Sequence, residues 1–231
     1  MDEATKEKIM MEVENWQYIK ELPKGCSNFE LKYEMCLEGD IYNILRYENK
    51  TTRRKVTLYY HDETKEYKVK TTVGLTEFCN IEFITSQQAV EEQILKQRLE
   101  KLLQSLAVFN KDDIDSIVVD KKILEWQYVN KLPETIEGFQ LFIKPSEPLR
   151  IINGSYIVFD YCDFETSSNF IIYYNIFRDE FFGEAKIRCI PEMNYIFDSH
   201  ELGELEEKLD QFLIPRLKEI RMRVVQDEKI E

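Results

Sequence analysis

Residues able to do acid–base, nucleophilic or metal chemistry are few and scattered in this 231-residue chain. His61 and His200 are the only histidines. An imidazole can act as a general base or a metal ligand, but neither histidine has another at ligand spacing. His61 stands beside the Asp62-Glu63 turn on the wet face of a strand, and His200 falls in the first turn of a helix, so both read as surface residues. Cys26, Cys36, Cys79, Cys162 and Cys189 form an odd set without a C-x-x-C pair. Such a set is expected as reduced thiols, not as a disulfide framework or zinc site. No G-x-S-x-G elbow frames a serine, and seven single glycines cannot build a phosphate loop. The carboxylate pairs Asp112-Asp113, Asp160 with Asp163 and Asp179-Glu180 are unavoidable among 44 acidic residues and are expected on solvated surface. No catalytic, cofactor or metal residue is assigned.

The elements that would position any site carry the stronger signal, which is an internal duplication. The two tryptophans lie in matching octapeptides, Trp16-Gln17-Tyr18-Ile19-Lys20-Glu21-Leu22-Pro23 and Trp126-Gln127-Tyr128-Val129-Asn130-Lys131-Leu132-Pro133, 110 residues apart. After an insertion near Pro145–Pro148 the offset becomes 114, pairing Tyr42 with Tyr156, Tyr47 with Tyr161, Tyr59-Tyr60 with Tyr173-Tyr174, Asn80 with Asn194, Phe83 with Phe197 and Leu99 with Leu213. The expected fold class is α+β: two tandem pseudo-symmetric repeats, 1–110 and 111–231. Each would have an N-terminal helix, a four- to five-stranded antiparallel sheet and a long C-terminal helix packed on one sheet face. The layout resembles two-repeat saddles of the TATA-box-binding type in topology, with no shared motif.

Within each copy, Val13, Trp16, Ile19 and Leu22, and again Ile123, Trp126, Val129 and Leu132, predict an opening helix closed by Pro23 or Pro133. Aromatic and β-branched runs predict strands over 42–48, 55–61, 155–165 and 170–177. Alternation at Tyr67, Val69, Thr71, Val73 and Leu75, and at Phe181, Gly183, Ala185, Ile187 and Cys189, predicts a sheet buried on one face and wet on the other. Thr85 with Gln88 and Asp198 with Glu201 predict capping boxes before leucine-striped helices, and Pro215 should kink or restart the second.

The net charge is −13, which opposes non-specific binding to nucleic acid or anionic membrane. The N-terminus leads into no apolar signal core and no membrane-length apolar run follows, so a cytoplasmic protein is expected. The charge divides as −3 for residues 1–110 and −10 for residues 111–231. Lys50, Arg53, Arg54, Lys55, Lys65, Lys68 and Lys70 align with Phe164, Ser167, Ser168, Asn169, Asp179, Phe182 and Glu184. One copy thus presents a basic sheet face and the other an acidic-to-apolar one. The candidate binding surface is Arg53, Arg54, Lys55, Tyr59, His61, Lys68 and Lys70 in the first copy, with Ile171, Tyr173 and Phe182 in the second. The expected role is a non-enzymatic protein-interaction module whose partner is another protein or a second copy. A ligand binder or enzyme with a pocket between sheet and helix is the alternative, and a nucleic-acid binder is less favoured.

Overall fold

The computed structural model describes residues 3–227. The chain divides into two compact units, Met1–Asn110 and Lys111–Glu231. Unit 1 opens with helices α1 (Glu3–Glu14) and α2 (Gln17–Lys20). Six strands follow: β1 (Gly25–Cys26), β2 (Phe29–Glu38), β3 (Ile41–Asn49), β4 (Arg54–His61), β5 (Glu66–Val73) and β6 (Thr76–Thr85), before helix α3 (Gln88–Ala107). The strands form one antiparallel meander in sequence order. Each of its four longer hairpins has a residue in the left-handed region at its turn: Gly39, Arg53, Lys65 and Gly74. Such residues match the twist that tight hairpins need.

Unit 2 begins with the short helix α4 (Ser116–Asp120) between 3-10 turns at Lys111–Asp113, Ile123–Glu125 and Gln127–Lys131. Its strands are β7 (Thr135–Ile136), β8 (Phe139–Ile143), β9 (Leu149–Arg150), β10 (Ser155–Asp163), β11 (Ser168–Asn175), β12 (Glu180–Ile187) and β13 (Ile190–Ser199), followed by helix α5 (Leu202–Asp227). The sheet order is β13-β12-β11-β10-β8-β7, with β9 paired to β10. One face of this sheet, through Tyr156, Phe159, Phe170, Phe181 and Phe197, packs into a single core with Leu205, Leu209, Leu213 and Leu217 of α5. Burying one such side chain stabilises the unit by about 1.5–3 kcal/mol.

The expected layout of tandem helix, four- to five-stranded sheet and helix is corrected by these counts of six and seven strands. Two-residue arms such as Gly25–Cys26 and Thr135–Ile136 are too short to carry periodicity, and β6 and β13 are irregular. In β6 the pairing with β5 passes from Asn80 to Thr85 within two residues of its neighbour, and in β13 it passes from Asn194 to Ser199 in the same way. These bulges turn Phe83 and Phe197 into the interior.

The opening helix is also corrected. In unit 1 it breaks at Trp16, whose backbone is extended, and in unit 2 Trp126 is extended and Lys122 is left-handed. Apolar residues spaced by three throughout fit the three-residue turn of a 3-10 helix better than the 3.6-residue α period, and unit 2 takes that option. Neither capping box forms with side-chain bonds to the helix. Gln87 caps α3 without a side-chain bond, and Thr85 Oγ1 instead accepts from the Gln87 amide at 3.2 Å. Pro215 neither ends nor restarts α5, which continues to Asp227.

Candidate functional site

The alternation expected in β5 and β12 is present over Tyr67, Val69, Thr71 and Val73, and over Phe181, Gly183, Ala185 and Ile187. It does not extend to Leu75 and Cys189, which fall beyond the strands at the turns, Leu75 half-buried and Cys189 exposed. The opposite faces are not uniformly wet. All nine residues of β10 are buried, as are seven of the eight in β11. A strand buried on both sides loses its alternating pattern, so the sequence shows only an apolar run. The residues proposed as an outer surface therefore fall in several environments.

In unit 1 the outer rungs run Asn43–Tyr59–Lys68, Arg46–Thr57–Lys70 and Glu48–Lys55–Thr72. Tyr59 is 7% exposed and donates to Cys79 Sγ at 3.9 Å, with the Lys70 ammonium 5.5 Å above its ring. Burial, reinforced by Cys79, raises its phenol pKa. Lys68 pairs with Glu66 at 3.1 Å and Lys70 with Glu77 at 3.2 Å. Beside them Arg46 holds Glu34 at 2.5 Å and Lys32 holds Glu48 at 2.8 Å. The cations of this face are thus interleaved with carboxylates, and its field is far weaker than a count of basic residues suggests. Arg53 sits exposed at the β3–β4 turn, Arg54 donates to the Leu106 carbonyl near the end of α3, and Lys55 is half-buried. His61 is half-buried, with Nδ1 3.1 Å from Thr64 Oγ1.

In unit 2 the corresponding rungs are Ile157–Tyr173–Phe182, Asp160–Ile171–Glu184 and Cys162–Asn169–Lys186. Ile171 is fully buried and Tyr173 nearly so; the Tyr173 ring stacks on Phe182 with centroids 5.0 Å apart. Asp160 is also fully buried, and Asn169 Nδ2 lies 3.1 and 3.2 Å from its two carboxyl oxygens. Burial pushes the Asp160 carboxyl up to about 7, against the opposing pull of hydrogen bonds from Cys162 and Asn169 and the charge of Lys186. Tyr173 donates to Glu184 at 3.5 Å, and burial together with the Glu184 and Asp160 charges raises its pKa. Lys186 lies 3.9 Å from Glu184. Asp160, Asn169, Tyr173, Glu184 and Lys186 thus lie on one face of the sheet, Asp160 bonded to Asn169 and Glu184 to Tyr173 and Lys186.

The expectation that acidic residues lie on solvated surface missed four carboxyls: Asp160 and Glu91, which are fully buried, and Asp163 and Asp62, which are nearly so. The signals were present. Asp160 interrupts an apolar strand, Ser-Tyr-Ile-Val-Phe-Asp-Tyr-Cys, and Glu91 continues the four-residue stripe of Leu95, Leu99 and Leu103. Asp160 and Asp163 do not act as a pair, because Asp163 is engaged by Arg221 at 2.8 Å and by the Glu165 amide at 3.1 Å. His200 is exposed, with Nδ1 2.7 Å from the Asp179 carbonyl. Among the described residues, no group of three or more His, Cys, Asp or Glu side chains is placed to hold a metal ion. No helix among them is long and apolar enough to cross a membrane.

Fold and rows together define the class: an α+β protein of two antiparallel-sheet units with buried polar rows on the strands. Comparison with protein-family models, characterised proteins and solved structures finds no match.

Proposed function

We propose that this chain is a non-enzymatic protein-interaction module, of the adaptor, chaperone-like or immunity type, that recruits its partner through the outer strand of the seven-stranded sheet. The observation that carries this reading is the composition of β13. Ile190, Met193, Tyr195 and Ile196 are all exposed there, Tyr195 by 73%. Strand edges normally carry charge that discourages pairing with another chain. The edge strand β6 also exposes an apolar side chain, Ile81, but sets the exposed charges Glu77 and Glu82 beside it. At the aligned positions β13 has Pro191 and Ile196, and its own Glu192 is neutralised by Arg216 at 2.5 Å and Arg223 at 2.8 Å. An edge strand whose exposed side chains are mainly apolar suits a partner that adds an extended segment or covers the strip with apolar side chains.

The test is affinity capture from native lysate with the unaltered chain and with a Tyr195→Lys, Ile196→Glu double variant. A protein held at constant stoichiometry by the first and lost from the second, with unchanged thermal unfolding, is the expected result. Equal capture by both, or no retained protein, overturns the reading.

A further inference from the structure

Glu91 lies in the first turn of α3, in line with the buried Leu95, Leu99 and Leu103, and is itself fully buried. Neither carboxyl oxygen has a hydrogen-bond partner among the described residues. An ionised carboxylate without partners in such a place is strongly disfavoured, and the group takes up a proton instead. At the aligned position unit 2 has Leu205, also fully buried. The site therefore accepts an apolar side chain, and the glutamate is not required by packing.

The bonds that dock the end of α1 surround this residue. Gln88, one turn before Glu91, donates to the Glu12 carbonyl at 3.0 Å. Glu92, its neighbour, accepts from the Trp16 indole at 2.8 Å. Tyr67 of β5, whose ionisation senses Glu91, donates to Glu12 Oε2 at 2.9 Å and packs edge-on to Trp16 at 5.7 Å. We propose that Glu91 is a proton-operated latch on the N-terminal helix: protonated, it lets Glu12, Val13 and Trp16 seat against Tyr67, and ionised, it releases α1 and uncovers that face.

The titratable groups around it are Glu12 of α1, with Lys8 3.7 Å from its other oxygen, Tyr18 of α2, Tyr60 of β4, Tyr67 of β5, and Glu92 of α3 with Lys96 at 2.5 Å. From β6 comes the apolar Phe83, while Glu82 stays exposed. Both cations are thus already matched by Glu12 and Glu92, so an ionised Glu91 adds a buried negative charge that neither of them compensates. Burial pushes the Glu91 carboxyl up to about 8. The latch is therefore closed at neutral pH and opens as pH rises through that value.

Amide hydrogen exchange on the full chain tests this, with rates corrected for intrinsic pH dependence. Protection of residues 5–16 should fall about tenfold between about pH 7 and about pH 9, while that of residues 205–213 holds. Glu91→Gln and Glu91→Leu should abolish the fall, and the leucine variant decides if the glutamine variant does not fold. Constant protection of residues 5–16 in the unaltered chain overturns the latch. So does an equal fall in the folded variants, or simultaneous loss of protection in all the strands of unit 1.

Discussion

Trp126 donates its indole N–H to Glu206 Oε1 at 2.7 Å, tying the irregular opening of unit 2 to the second turn of α5. Trp16 makes the same bond to Glu92 in unit 1. Removing the donor while keeping an aromatic ring isolates this bond from the packing around it. Trp126→Phe is expected to lower unfolding stability by about 1.5–3 kcal/mol, the range for hydrogen bonds to charged groups. Trp126→Ala should cost about 3–5 kcal/mol, because it also leaves a cavity beside Tyr128. Denaturant midpoints of the two variants check both figures, and an unchanged midpoint for Trp126→Phe would mean that the bond contributes nothing.

Burial raises the Asp160 carboxyl from about 3.9 in an unfolded chain to about 7 in the folded one. Between those values the folded state holds the extra proton, so this group's contribution to stability is complete below the lower value. It is lost as pH rises to the upper one, by about 1.4 kcal/mol per pH unit. Asp160→Asn should remove that slope. Subtracting the variant's stability curve from that of the unaltered chain between about pH 4 and pH 8 isolates the effect from Glu91, which slopes the same way. A flat difference curve would show that Asp160 is ionised throughout.

Pro215 is exposed in the interior of α5, where it cannot donate to the carbonyl of Gln211. Pro215→Ala should restore that bond and stabilise unit 2 by about 1–3 kcal/mol, read as a raised thermal midpoint. A lowered midpoint would show that α5 needs the proline to follow the sheet.

Arg54 donates to the Leu106 carbonyl, placing a cation at the negative end of the α3 dipole. Arg54→Glu should destabilise unit 1 by about 1–2 kcal/mol through loss of that charge-assisted bond and reversal of the charge. Earlier exchange of the last-turn amides of α3 would confirm the route, and an unchanged rate there would exclude it.

The α+β class with antiparallel strands was legible in the sequence, whereas the strand counts and the layout of helix, sheet and helix were not. Tyr47 and Tyr161 align, and each donates its hydroxyl to a proline carbonyl, Pro23 or Pro133, at 2.7 Å. The alternation of β5 and β12 was legible for the same reason that it exists, namely one packed face. The opening helix was misread because spacing by three satisfies both helix types over short stretches. The candidate surface was harder. Orientation along a strand follows from the period of two, and it places Tyr59 with Lys55 and Thr57, and Tyr173 with Ile171, as expected. Exposure does not follow from period, since burial of the second face depends on residues distant in the chain. Lys70 looks free in sequence because Glu77 comes beside it only after β5 and β6 pair, whereas Glu66 stands two residues before Lys68 on the same face of β5 and could have been read.

The strands buried on both faces carry a consequence for how the chain finds its alignment. In an ordinary sheet a slip of one residue would expose apolar side chains, and that penalty alone enforces the correct pairing. β10 and β11 lack this safeguard over most of their length, because either set of side chains would enter an apolar setting. Asp160 and Asn169 supply a substitute: a slip of one residue sends them to opposite faces of the sheet and strands both polar groups without each other. The pair acts as a key cut into an otherwise featureless strip, worth more for rejecting wrong partners than for strengthening the right one.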